Sequence, residues 1–174
     1  MLPSPNLPEP NALARLLGLN DWRVGVHRFS DALDLWAYGL WWVEVQPSFH
    51  PHWVIAGVTA SEWREKAPVW RKAILAQDQA AAVIDLRDAA IEEAFNAAPL
   101  LHRSMGMSLD GIGYAVRTES VPVTAEFRFA NPEVAERVAV ERALRDLSAE
   151  IAKASGSAEL ADVMKLWRLY TSGR

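Results

Sequence analysis

No cysteine occurs among the 174 residues, which excludes disulfides, thiolate metal sites and a cysteine nucleophile. The absence fits a reducing compartment, and a cytoplasmic location is expected. Long apolar runs are missing too, since no segment approaches the ~20 apolar residues a membrane span requires. The opening Met-Leu-Pro-Ser-Pro-Asn-Leu-Pro-Glu-Pro holds four prolines and no apolar stretch. Residues 1–10 therefore read as an extended, Pro-rich arm and not as a signal peptide. Positive charge is in deficit: 18 Lys and Arg face 22 Asp and Glu, for a net charge of −4. Binding a phosphate backbone needs a basic patch, so neither nucleic acid nor a membrane is the expected partner. A protein with a basic surface is compatible with that balance.

Catalytic signatures are equally scarce. The chain has no H-E-x-x-H helix pair, no G-x-S-x-G elbow and no glycine loop followed by a Walker lysine. Gly111-Ile-Gly113 lacks the rest of any phosphate cradle, and Asp110-Gly111 reads as a turn opening a strand. No cofactor is expected, and the chain reads as a binding protein more than as an enzyme. No internal repeat or low-complexity segment is found.

What is present is a globular composition, 51% apolar and 23% charged, enough for one domain over residues 11–174. Its clearest stretch runs from Asp110 to Ser155. Ile112, Tyr114 and Val116 alternate with Gly113, Ala115 and Arg117, and Ala125, Phe127 and Phe129 alternate with Thr124, Glu126 and Arg128. A period of two puts each apolar set on one face. A loop at Glu119–Pro122 would set Tyr114 against Phe127, Val116 against Ala125 and Ile112 against Phe129. Asn131-Pro132 then predicts an N-cap and first turn. A helix over Pro132–Ala154 follows, with an inner stripe of Val140, Leu144, Leu147 and Ile151. Ser155-Gly156-Ser157 predicts a C-cap followed by a new N-cap. A last helix carries Leu160, Val163, Met164 and Trp167.

Upstream, Asn11–Gly18 reads as a short capped helix, and Trp22–Phe29 as a strand followed by a turn at Ser30–Asp34. Leu35–Gln46 is rich in aromatic and β-branched residues and favours strand, with a bulge or bend at Gly39. Pro47–Pro51 breaks it, and Trp53–Thr59 returns as its hairpin partner. Thr59 or Ser61 is then expected to cap a helix on which Trp63, Ala67, Trp70 and Ile74 recur, kinked at Pro68. A second helix is expected over Gln77–Asn96, which is alanine-rich and free of Gly and Pro. Pro99–Leu109 reads as a linker. The sum is a single α+β domain: an antiparallel sheet of four to five strands, helices mainly on one face, and a long C-terminal helical region.

Three groups are candidate sites. His50 and His52 point the same way if extended and would chelate a metal with His27 or His102 as third ligand; flanking prolines suit a rigid hairpin tip instead, and no metal is assigned. Asp85, Asp88 and Glu92 share one face of the expected helix, either as a solvated face or as an acidic patch for a basic partner. The tryptophans, including Trp36, Trp41, Trp42, Trp53, Trp63 and Trp70, serve as core or as a binding surface. On a strand Trp41 and Trp42 must face opposite ways, so one of them needs a second covering layer or a partner. Arg117, Glu119, Glu126 and Arg128 read as exposed ion pairs on the outer hairpin face.

The run Ser108-Leu-Asp-Gly-Ile-Gly-Tyr114, with Phe127-Arg-Phe-Ala-Asn-Pro132 and Glu141-Arg-Ala-Leu144, resembles small bacterial α+β proteins of the polymorphic-toxin immunity type. The resemblance implies an acidic cytoplasmic inhibitor of one partner toxin. It covers about 40 residues of fold signals and assigns no functional residue. The expected function is thus a non-catalytic protein-binding module. The alternatives are a small-molecule binder or enzyme with a Trp/His-lined pocket near His50, His52 and Trp53, or self-association.

Overall fold

A computed structural model describes residues 7–30, 33–62, 70–97, 111–120 and 123–172. Residues 1–6, Trp63, Pro68, His102, the Pro99–Leu109 linker and the side chains of His27, Trp36 and Trp70 lie outside that description. In order, the chain forms α1 (Pro10–Leu16), β1 (Gly25–Ser30), β2 (Leu33–Pro47), β3 (Trp53–Glu62), β4 (Trp70–Gln77) and β5 (Ala80–Asp85). It continues with α2 (Ala90–Ala97), β6 (Ile112–Ser120), β7 (Val123–Ala130), α3 (Ala135–Ser155) and α4 (Ala158–Thr171). The fold is α+β. Its antiparallel sheet has the order β5-β4-β3-β2-β6-β7, with β1 pairing the start of β2.

That sheet has more strands than the sequence predicts, because β4 and β5 take residues expected in the helix that carries Trp70 and Ile74 and in the first part of the helix over Gln77–Asn96, whose end does form as α2. Alanine favours helix only weakly, and tertiary pairing overrides the preference. Ala73, Leu75, Ile74 and Ala76 are all fully buried: a strand covered on both faces, where apolar residues run continuously and can mimic a helix. Gln77 pairs with Ala80, and Asp78 adopts φ +50°, a left-handed conformation that Asp tolerates in two-residue hairpin loops.

The β6–β7 hairpin forms on the predicted faces but two residues out of the predicted register. Tyr114 lies opposite Phe129 and Val116 opposite Phe127, with the Tyr114 and Phe129 rings stacked at 4.7 Å. A shift of two keeps every side chain on its face, so alternation cannot detect it. The difference is turn length. Ser120 pairs with Val123, leaving two residues between the strands where four were expected. Asn131 is also reassigned: its φ is +42°, and its Oδ1 accepts from Ile112 N–H at 3.0 Å. It closes the hairpin's open end, while Val134 occupies the N-cap of α3 without a side-chain bond. Likewise Asn11 lies within α1 and accepts from Trp22 N–H at 2.9 Å instead of capping. Gly156 and Ser157 take the predicted cap positions between α3 and α4.

Two apolar layers sandwich the sheet. On one face Trp41, Val43, Val45, Trp53, Ile55 and Tyr114 pack with Phe95 of α2, Leu144 and Ile151 of α3, and Trp167 of α4. On the other, Leu13 and Leu17 of α1 cover Leu40, Val54, Ala56, Val58 and Ile74. The second layer is smaller, and among the described residues no helix covers the β6–β7 end of its face. Among the described residues no helix is long and apolar enough to cross a membrane.

Candidate functional site

The alternation of β2 decides where its tryptophans go. Trp41 enters the helix-side core at 2% exposure. Its ring lies over Gly57, where an added Cβ would stand 2.3 Å from the indole, so only glycine fits beneath it. Trp42 points to the other face, half-buried, and meets Trp22 edge-on at 5.5 Å. Trp53 is fully buried and packs on Trp167 at 5.4 Å. The expected Trp cluster is therefore divided between two layers.

The histidines diverge. His52 Nδ1 lies 2.9 Å from Glu44 Oε1, while His50 is exposed and meets Tyr170 of α4 edge-on at 5.9 Å. Tyr170 OH donates to Ser48 O, fastening α4 to the β2–β3 turn. Phe49, at the tip, is 88% exposed. Among the described residues no three His, Asp or Glu side chains gather as metal ligands.

The acidic face is corrected outright, because residues 77–96 are not one helix. Asp85 ends β5, and Asp88 lies ahead of α2, where its Oδ1 accepts from Ala90 N–H at 3.1 Å. Both line a groove against Arg142, Asp146 and Glu150 of α3. Glu92 leaves that group for a different pocket, beside Thr59 and Arg71.

That pocket forms where β2 bulges. Pairing with β3 slips between Ala37 and Gly39, so Tyr38 is the extra residue, as a bulge at Gly39 predicts. Around it α2 places Glu92 and Phe95, β3 places Thr59, and β4 places Arg71, enclosing about 270 Å³ with Trp41 as a wall. Thr59 Oγ1–H donates to Glu92 Oε1 at 2.6 Å. Arg71 Nε stands 3.8 Å from that same oxygen, beyond hydrogen-bond reach. Arg71 Nε and Glu92 Oε2 are both shielded from solvent and have no hydrogen-bond partner among the described residues. Burial raises the Tyr38 phenol above its ordinary value of 10.0; Arg71 opposes the rise and Glu92 adds to it. Native proteins seldom leave shielded charged groups short of partners.

A wider groove of about 830 Å³ lies on the opposite face, between residues 7–11 and the β6–β7 hairpin. Trp22, Trp42 and Glu44 line it together with Arg117, Glu126 and Arg128. Arg117 reaches Glu119 at 2.6 Å and its cross-strand neighbour Glu126 at 3.7 Å. Glu44 is only 8% exposed, which ties a carboxylate into the groove beside an indole face. The sequence reading missed Trp22, Glu44, Tyr38, Thr59 and Arg71. A β2–β3 register would have exposed the Glu44–His52 pair; nothing local marks Arg71, which was expected on a helix.

Comparison of the chain with models of protein families, with curated proteins and with solved structures finds no match.

Proposed function

We propose that the protein is a non-catalytic binding module that engages a partner protein through the open half of its sheet. An immunity-type inhibitor of a toxin is the form the sequence resemblance implies. One observation supports this reading above others: Trp42 and Trp22 stand half-buried in the 830 Å³ groove, with no helix among the described residues laid over that end of the sheet. Aromatic side chains in such a setting serve as anchors in protein interfaces. Glu9, Glu44 and Glu126 outnumber Arg117 and Arg128 along the groove; Arg117 is engaged with Glu119 and Glu126, and Glu44 with His52 at 2.9 Å. The surface therefore suits a partner presenting an arginine or lysine, whose cation can lie on the Trp42 face while a carboxylate neutralises it.

Selection of displayed random peptides on the intact chain tests this. Selected sequences are expected to share a basic residue next to an apolar one. They are expected to bind Trp42→Ala at least about tenfold more weakly, the scale of an interface hot spot. Peptides lacking a basic residue, or indifferent to both Trp42→Ala and Glu44→Gln, would overturn the reading.

A further inference from the structure

We infer that the pocket at the β2 bulge is a binding site for a small zwitterion of the α-amino acid class, its carboxylate on Arg71 and its ammonium on Glu92. This site lies on the helix side of the sheet, away from the open groove, and does not depend on the partner-binding reading.

Four observations converge. The first is size. About 270 Å³ falls just below the roughly 300 Å³ at which sites for drug-sized ligands begin, so only a small ligand fits. The second is unspent bonding capacity. Arg71 and Glu92 carry opposite charges in a partly buried place, with side chains 22% and 25% exposed, yet stand 3.8 Å apart and form no bidentate pair. A structural ion pair closes such a gap, because a shielded donor or acceptor left unmade is costly. Here each retains an atom without a partner among the described residues. The third is charge balance. Glu119 also lines the pocket but is engaged by Arg117 at 2.6 Å. The Arg71–Glu92 pair is net neutral, so a ligand that is itself neutral overall but carries both signs satisfies both groups and leaves no buried charge over. A simple anion would serve Arg71 and repel Glu92; a simple amine would do the reverse. The fourth is the wall. Trp41 and Phe95, in edge contact at 5.7 Å, give an apolar side on which the ligand's own side chain can rest. The Tyr38 phenol lines the pocket as well and, protonated at neutral pH as any phenol is, is a donor there.

Geometry also fixes the part each element plays. Thr59 holds one Glu92 oxygen from β3 and so fixes the orientation of the carboxylate. Ile91 and Phe95 are embedded in the core and hold α2 in place on either side of Glu92. The site is built mainly from four strands, β2, β3, β4 and β6, and from α2, elements that position side chains more firmly than loops do.

The test uses the full chain and the twenty L-amino acids as probes, each read by thermal shift and by titration calorimetry. The N-acetyl and methyl-ester forms of any hit serve as controls, since each removes one charge. At least one free amino acid is expected to bind saturably at millimolar concentration or below. Both blocked forms, Glu92→Gln and Arg71→Lys are each expected to weaken it about tenfold or more. Glu92→Gln keeps the shape of the side chain and its bond from Thr59, so a folded variant that no longer binds isolates the charge. The inference is overturned if no free amino acid binds the wild type. It is overturned equally if a blocked form binds as well as its parent, or if binding survives both substitutions.

Discussion

The molecule contains two clusters in which a helix glutamate meets a hydroxyl from the sheet, and they have been resolved in opposite ways. In one, Glu141 of α3 accepts from Tyr114 OH at 2.6 Å, and Trp167 Nε1–H donates to the same phenol at 3.0 Å. Glu141 is 5% exposed, Tyr114 1% and Trp167 fully buried. In the other, Glu92 of α2 accepts from Thr59 at 2.6 Å but leaves its second oxygen, and the nearby Arg71 Nε, unengaged among the described residues. The first cluster joins β6, α3 and α4 and is saturated from within. The second opens into a pocket. A satisfied buried network fixes structure, whereas one with bonding capacity to spare is where a ligand is worth most.

The largest expected effect comes from breaking the closed cluster. Trp167→Ala removes the indole that donates to Tyr114 and packs on Trp53. It should destabilise the fold by about 3–5 kcal/mol, the usual range for emptying a buried aromatic site, measured by urea unfolding. A finer comparison sets Tyr114→Phe against Thr59→Val. Losing the phenol removes one bond from Glu141 and the bond that Trp167 Nε1–H donates to it, and should cost about 1–3 kcal/mol. Losing the Thr59 hydroxyl strands only one oxygen of a carboxylate that already borders an open pocket, and should cost less than about 1 kcal/mol. Equal losses at the two sites would erase the distinction between closed and open clusters.

The smallest effect is a pH dependence. Because burial raises the Tyr38 phenol above 10.0, the folded state holds that proton more tightly than the unfolded chain. Its contribution to stability is complete below about pH 10 and is lost as pH rises through the higher folded value. Tyr38→Phe should therefore flatten the alkaline limb of a stability-versus-pH curve and leave the neutral region little changed. An alkaline limb identical to wild type would place the phenol in water.

Much of the fold could be read from the chain before any coordinates. The β2–β3 and β6–β7 hairpins, the bulge at Gly39, the caps at Gly156 and Ser157 and the inner stripe of α3 follow from alternation, turn residues and 3.6-residue spacing. The opposite facing of Trp41 and Trp42 is a consequence of extended backbone alone, and Trp42 does reach a groove. The second hairpin, β4–β5, carries a local pattern that predicts helix. Ala-Ala-Ala-Val-Ile-Asp is equally suited to both periods, and Asp78-Gln79 lacks the glycine that usually announces a two-residue turn. That one misreading carried the site with it. Asp85, Asp88 and Glu92 form a tidy stripe on a helix that is not there, and Arg71 could not be seen facing Thr59 across two strands.

By itself, then, the sequence determined those properties that depend on residues a few positions apart: which faces of each strand are apolar, where helices stop, that no thiol chemistry is possible. Tertiary structure decided what depends on partners distant in the chain. It turned an alanine-rich segment into the edge of a sheet, because pairing along the fully buried Ala73–Ala76 run of β4 outweighs a few tenths of a kcal/mol of helix preference per residue. It set the hairpin register, to which alternation is blind at shifts of two. And it brought Tyr38, Thr59, Arg71 and Glu92, from four separate elements, around one pocket, a meeting no local pattern could encode.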